Sequence, residues 1–300
     1  MSSDTKNPDL HDRRGEIEVS PYQGDNPLLK RGTIRVAANG RHFEHADGTP
    51  FFWLADTWWM GRCKRLRWPR DFQSLLVDRV QKGFTLVQII ASPHPDMPAR
   101  DPRGANEAGQ MWEANFARIN PRYYGMADAR IQYLVEHGLV PCIVGCWGYY
   151  LPQKGVAKIK QHWSNLVARW SGLPVMWCLA GEGMMPYYLS KTPKEDAALQ
   201  KQGWTEVARY VRGIDAYRHA ITIHPTGVGR DQVEDPGLLD FDMLQTGHSD
   251  RASYAKTVNL VTDGVARQPR MPVLEGEVNY QGIVEADRQE VSALFSGRPC

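Results

Sequence analysis

Beyond residue 30 the chain alternates between two hydrophobic rhythms. Short, largely apolar runs stand at 51–54, 85–90, 140–144, 175–179, 220–223, 243–245 and 273–275. Runs of this length, apolar without alternation, suit parallel strands covered on both faces. Between them apolar residues recur every three or four positions, the spacing of one helix face. Pro69 opens one such stretch, with Phe72, Leu75, Leu76 and Val80 on one face and Gly83 as its stop. Asn120-Pro121 opens the next, which carries Tyr124, Ala127, Ile131, Leu134 and Val135 and ends at Gly138. A third holds Ile159, Trp163, Leu166, Val167 and Trp170, and Thr192-Pro193 opens a long fourth that buries Trp204, Val207, Tyr210, Val211 and Ile214. Two more are predicted over 253–265 and from Glu285 to Leu294.

Repeated strand–helix units predict a parallel α/β fold, a TIM (β/α)8-type barrel. A doubly wound open sheet is the alternative, but no Gly-x-Gly-x-x-Gly follows the first strand, which disfavours its dinucleotide-binding form. Seven strands are counted, one short of closure, so the reading has the barrel truncated before its eighth strand at Arg298-Pro299-Cys300. Runs at 33–36 and 42–44 flank Asn39-Gly40, a turn pair that predicts a short N-terminal β hairpin. Residues 1–30, rich in charge, Asn and Pro, read as a flexible arm, and 31–300 as the barrel domain.

Charge and composition then remove several classes. A formal net charge of +2, with no Lys/Arg-rich face, gives no electrostatic footing for nucleic acid. No stretch approaches the ~20 apolar residues of a membrane span, and the polar N-terminus shows no signal peptide, so a cytoplasmic location is expected. Five cysteines in 300 residues make no disulfide framework. Cys142, Cys146 and Cys178 sit in apolar runs and read as buried thiols. No pattern defines an oligomeric state.

Barrel enzymes build their sites at the C-terminal ends of the strands. Here those ends carry Asp56-Thr57-Trp58-Trp59, Ser92-Pro93-His94-Pro95, Trp147-Gly148-Tyr149-Tyr150, Gly181-Glu182-Gly183, His224-Pro225-Thr226, Gln245-Thr246-Gly247-His248-Ser249 and Glu275-Gly276-Glu277-Val278-Asn279-Tyr280. Glycoside hydrolysis needs two carboxyl groups, one to protonate the leaving oxygen and one to attack carbon or activate water. Glu182 and Glu277, at the ends of the fourth and seventh strands, are the expected pair. Glu275 shares the parity of Glu277 and is a competitor for that role; Glu277 is preferred because it lies nearer the mouth. Asp56 and Trp58 are expected to bind sugar by hydroxyl contact and ring stacking, with Trp147, His224, Gln245, His248 and Tyr280 as further substrate ligands. No cofactor is implied. A metal-dependent barrel using His94, His224 and His248 is a weaker reading, because neither His-x-His on the first strand nor His-Glu-x-x-His is present. A non-catalytic sugar-binding barrel is the rival from another class.

The segment Phe52-Trp53-Leu54-Ala55-Asp56-Thr57-Trp58-Trp59, the Ala180-Gly181-Glu182 turn, Gln245-Thr246-Gly247-His248-Ser249 and Pro272-Val273-Leu274-Glu275-Gly276-Glu277-Val278-Asn279-Tyr280 resemble the apiosidase-like glycoside hydrolases. That resemblance implies a TIM barrel and release of apiose from pectin side chains. It puts the strand-four acid on Glu182 and the strand-seven carboxylate on Glu277. The turn departs from the family's usual Gly-Gly-Asp, so the acid here is one methylene longer.

Overall fold

The computed structural model describes residues 15–16, 18–91, 93–247 and 251–278. Its first element corrects the expected extent of the arm. Helix α1 (Pro27–Arg31) forms because Asn26 caps it, its side chain accepting from the Leu28 N–H, and because proline occupies the first turn. Asn26 also donates to the carbonyl of Val135 at 2.6 Å, and Leu28 is buried. The end of the arm is therefore docked onto the barrel.

Strands β1 (Ile34–Val36), β2 (Phe43–His45) and β3 (Pro50–Phe51) make a small antiparallel sheet around the Asn39-Gly40 turn. It plugs the base of the barrel. Phe43 packs on Trp53 and on Phe241, ring centroids 5.2 and 5.1 Å apart, and Trp53 lies 5.4 Å from Phe241. This differs from the sequence reading, which made 51–54 the first barrel strand. Phe51 belongs to the plug, and Phe52 is 75% exposed. The first barrel strand is β4 (Ala55–Trp58).

Strands β4, β5 (Leu86–Ile90), β6 (Val140–Val144), β7 (Met176–Cys178) and β8 (Ile221–Thr222) pair in parallel in chain order, and β9 (Asp242–Gln245) pairs in parallel with β10 (Val273–Glu277). The two sheets join where Asp240 N–H donates to Ile221 O at 2.8 Å and Thr222 Oγ1 donates to Phe241 O at 2.9 Å. Seven parallel strands in sequential order, with helices between most of them, form a TIM-barrel fold. The helices are α2 (Arg70–Gln81), α3 (Pro121–Glu136), α4 (Tyr150–Lys154), α5 (Val156–Trp170), α6 (Pro193–Ile214) and α7 (Arg251–Ala266). Between β8 and β9 only two 3-10 turns occur, Gly229–Gln232 and Pro236–Leu238. The helix expected from Glu285 lies outside the described residues.

Register tells which side chains face inward. Trp177 packs edge-on against Trp163 of α5 and donates to Asp215 at 2.9 Å, so it points at the helix layer. Its neighbours Met176 and Cys178 therefore point into the barrel, and their partners Cys142, Val144 and Thr222 with them. Cys142, Cys146 and Cys178 are buried free thiols, as expected. Burial raises the pKa of all three thiols, that of Cys178 to about 12, which keeps them protonated and unreactive. Among the described residues no helix is long and apolar enough to cross a membrane.

Candidate active site

Glu277 reaches the mouth because β10 is bulged. Glu275 pairs with Leu244 but Glu277 pairs with Gln245, so Gly276 is an extra residue. The bulge reverses the parity argument made from sequence: Glu275 and Glu277, two apart, face opposite sides. Gly276 permits this because a Cβ there would lie 2.6 Å from Met243 Cγ. Glu277 turns inward, is 7% exposed, and its Oε2 lies 2.9 Å from His224 Nε2. His224 is fully buried, and its Nδ1 meets no partner among the described residues. A proton on Nδ1 would be stranded, so the ring proton belongs on Nε2, donated to the Glu277 carboxylate.

Glu275 faces α7 instead, its Oε1 accepting from the Thr246 N–H at 3.3 Å. Burial raises its pKa from 4.5 to about 7, against the opposing pull of the Thr246 hydrogen bonds. A carboxyl raised in the folded state binds a proton more tightly there than when unfolded. It costs nothing below its unfolded pKa and weakens the fold as pH rises from about 4.5 to about 7. Glu275→Gln should therefore raise the melting temperature at pH 8 and leave it almost unchanged at pH 4.5. Allowing for solvent screening of a half-buried group, the gain at pH 8 is about 1 kcal/mol. Thermal unfolding across that pH range measures it; an equal shift at both ends would sink the account.

Glu182 ends β7's extension on a turn that is costly by itself. Its φ is +45°, a left-handed conformation that disfavours a side chain by ~1–2 kcal/mol. Three buried side chains strap the turn from outside. Trp204 Nε1 donates to Gly183 O at 2.7 Å, Gln200 Nε2 donates to Met185 O at 2.6 Å, and Gln232 Oε1 accepts from Met184 N–H at 2.7 Å. Gln232 is held in turn by the 3-10 turn it ends, which Arg230 ties to β9 through a buried ion pair with Asp242 at 2.6 Å. The Glu182 side chain is itself fixed: Gln245 Nε2 donates to its Oε1 at 2.9 Å.

The two carboxylates line one pocket of about 270 Å³ together with Trp59, Trp147, Pro95, Asp96 and Tyr188. Trp59 packs edge-on against Trp147 at 5.7 Å and against His224 at 5.4 Å. Of the residues expected from sequence, Glu182, Glu277, Trp147, His224 and Gln245 converge here. Two do not. Asp56 and Trp58 face the helix layer: Asp56 Oδ2 pairs with Arg79 Nε of α2 at 2.5 Å and accepts from Trp58 Nε1 at 3.1 Å, while Trp58 packs on Phe72 at 5.2 Å. The error came from starting the strand at Phe51, which made 56–59 a loop; with β4 beginning at Ala55, parity sends Asp56 and Trp58 outward and Trp59 onto the mouth. His248 and Tyr280 lie outside the described residues. Asp96 and Tyr188 were not anticipated; the exposed Tyr187-Tyr188-Leu189 triplet after the fourth strand was the signal available.

Those placements separate binding from stability. Asp56→Asn should cost about 1 kcal/mol of stability by loosening the half-buried Arg79 pair, with KM unchanged, whereas Trp59→Ala should raise KM. Denaturant titration beside steady-state kinetics checks both, and a raised KM in Asp56→Asn would overturn the outward assignment.

Among the described residues no three His, Cys, Asp or Glu side chains converge as a metal site. His94 is buried with Nδ1 on the Trp59 carbonyl, and burial, helped by the charge of Arg62, lowers its pKa to about 3. It is a fixed neutral prop under Trp59.

Comparison with known proteins gives the family and the fold. The family described as "Apiosidase-like, catalytic domain" matches residues 37–296. No curated protein sequence matches the chain. Among solved structures, a glycoside hydrolase family 5 protein from Bacteroides vulgatus superposes with TM-score 0.68 and 25% identity, over 89% of this chain and 57% of that one. A second glycoside hydrolase gives 0.70 and 24%, over 88% and 60%. An endo-1,4-beta-mannanase from Rhizomucor miehei gives 0.57 and 14%, over 81% and 80%, a likeness of fold alone. The chain thus spans less than two thirds of the length of the first two.

Proposed function

Since the chain belongs to the apiosidase-like catalytic domain family, we propose that it hydrolyses an O-glycosidic bond in a plant or microbial glycan or glycoside, with Glu182 as general acid/base and Glu277 as nucleophile. The observation that carries this reading is the shared pocket: Glu182 and Glu277 line one small cavity walled by Trp59 and Trp147, and each carboxylate is held by its own donor. His224 holds Oε2 of Glu277, and the carboxylate attacks the anomeric carbon as the bond to the leaving oxygen breaks. Gln245 occupies Oε1 of Glu182, which leaves Oε2 to carry the proton given to that oxygen. In the second half Glu182 takes a proton from water, water attacks the same carbon, and the Glu277 carboxylate is released, with net retention. Tryptophan rings beside the carboxylates suit the apolar face of a sugar. No cofactor enters these steps.

The test is hydrolysis of aryl glycosides and pectic oligosaccharides by wild type and Glu182→Gln, with the first-formed anomer read by NMR. Loss of ~10³-fold on sugar leaving groups, and much less on nitrophenyl leaving groups that need no proton, is the expected signature of the acid. Equal activity of variant and wild type would remove Glu182 from the mechanism, and an inverted product would replace nucleophilic attack by general-base activation of water.

A further inference from the structure

Beside the carboxylate pocket lies a second cavity, about 380 Å³, walled by Asp96, Met97, Tyr149, Tyr187, Tyr188 and Leu189. Asp96 and Tyr188 line both cavities, so the two adjoin. They also touch: the Tyr188 hydroxyl donates to Asp96 Oδ1 at 2.6 Å, joining the loop after β5 to the loop after β7. The tyrosines form a cluster, Tyr149 lying 5.4 Å from Tyr187 and 6.0 Å from Tyr188. Much of this apolar surface faces water: Tyr188 is 56% and Leu189 79% exposed. Folding gains little from such residues, and a contiguous exposed apolar patch beside a site marks a binding surface.

The acid decides what the groove holds. Tyr188 stands with Glu182 in the first pocket, whereas Glu277 is drawn back toward His224. The leaving oxygen must lie on the proton donor, so the departing part of the substrate extends past Glu182 toward Tyr188. Resting on the function proposed above, we infer that the Tyr149–Tyr187–Tyr188 groove binds the leaving-group part of the substrate, a neutral pyranose stacked on a tyrosine ring with a hydroxyl donated to Asp96. Ring faces match the C–H face of a pyranose. An ionised carboxylate has acceptor capacity beyond its one bond to Tyr188, and its charge disfavours a uronate.

Tyr187 is half-exposed, so Tyr187→Ala should fold. The experiment compares kcat/KM for the glycosyl fluoride of the preferred sugar, whose leaving group is one atom, with the same sugar linked to a neutral pyranose. The ratio of pyranosyl substrate to fluoride is expected to fall tenfold or more in Tyr187→Ala; a ratio within twofold of wild type overturns the inference. Fluoride hydrolysis by Glu277→Gln tests the underlying activity separately, since the groove plays no part in it. If no glycoside is turned over, saturation-transfer NMR with methyl glucopyranoside, methyl galactopyranoside and methyl rhamnopyranoside decides the matter. Transfer seen with wild type and lost in Tyr187→Ala supports the groove as a sugar site; transfer absent from wild type, or persisting in the variant, overturns it.

Discussion

Glu277→Gln is expected to reduce kcat/KM by ~10³-fold or more, about 4 kcal/mol of transition-state stabilisation. The substitution preserves size and the contact with His224 Nε2, because the amide oxygen can accept the same hydrogen bond. What it removes is the charge that attacks the anomeric carbon. The smaller Glu277→Ala opens room for an external anion. Azide should then restore turnover of an activated glycoside and yield a glycosyl azide of inverted configuration, because azide enters from the face the carboxylate used. Rescue without inversion, or activity undiminished in Glu277→Gln, would take the nucleophile's role from this residue. Glu275→Gln is the matched control: its side chain lies two positions away but on the α7 face, so its kcat/KM should stay within about twofold of wild type while its stability changes with pH.

Gly148→Ala should be the most damaging change outside the carboxylates. A Cβ at this position would sit 2.2 Å from Glu182 O and 2.6 Å from Gly183 O. Those are backbone atoms of the turn strapped by Trp204, Gln200 and Gln232, so the turn has little freedom to yield. Gly148 N–H also donates to Gly181 O at 2.7 Å, and separating the two segments would break that bond. The expected cost is ~2–4 kcal/mol of stability by overpacking. Activity should fall about 10²-fold, because small displacements of an acid from its reacting oxygen are costly. Gly125→Ala is the control: no atom lies within 4 Å of a Cβ there, in mid-α3, so it should stabilise by ~0.5–1 kcal/mol. Denaturant unfolding and single-turnover kinetics on both variants measure the difference. A Gly148→Ala enzyme with full activity would show that the turn is not held as described.

The strand–helix alternation was legible because covered parallel strands and amphipathic helices leave different periods in the chain. Trp163, Leu166 and Trp170 lie on the buried face of α5, and Trp204, Val207 and Val211 on that of α6, where their spacing put them. The positions of Glu182 and Glu277 on one pocket were legible too, since both stand at strand ends. The first strand was harder. Phe52 and Trp53 have the composition of a barrel strand, but the hairpin below needs them to close its base, and starting the strand there made 56–59 a loop, in which alternation does not set side-chain direction. With the strand beginning at Ala55, alternation sends Asp56 and Trp58 to the helix side and Trp59 to the mouth.

The order of elements, the barrel they form, the buried thiols and the strand-end place of Glu182 were determined by the sequence itself, because local periodicity and strand-end position are properties of neighbouring residues. The tertiary structure alone decided the rest. It turned Glu277 rather than Glu275 into the pocket, because one extra residue at Gly276 is accommodated against Met243 on another strand. It chose Trp59 over Trp58, because Arg79 and Phe72 on α2 hold the preceding residues outward. And it joined Asp96 to Tyr188, 92 positions apart, because loops from alternate strands meet only when the sheet curls toward closure.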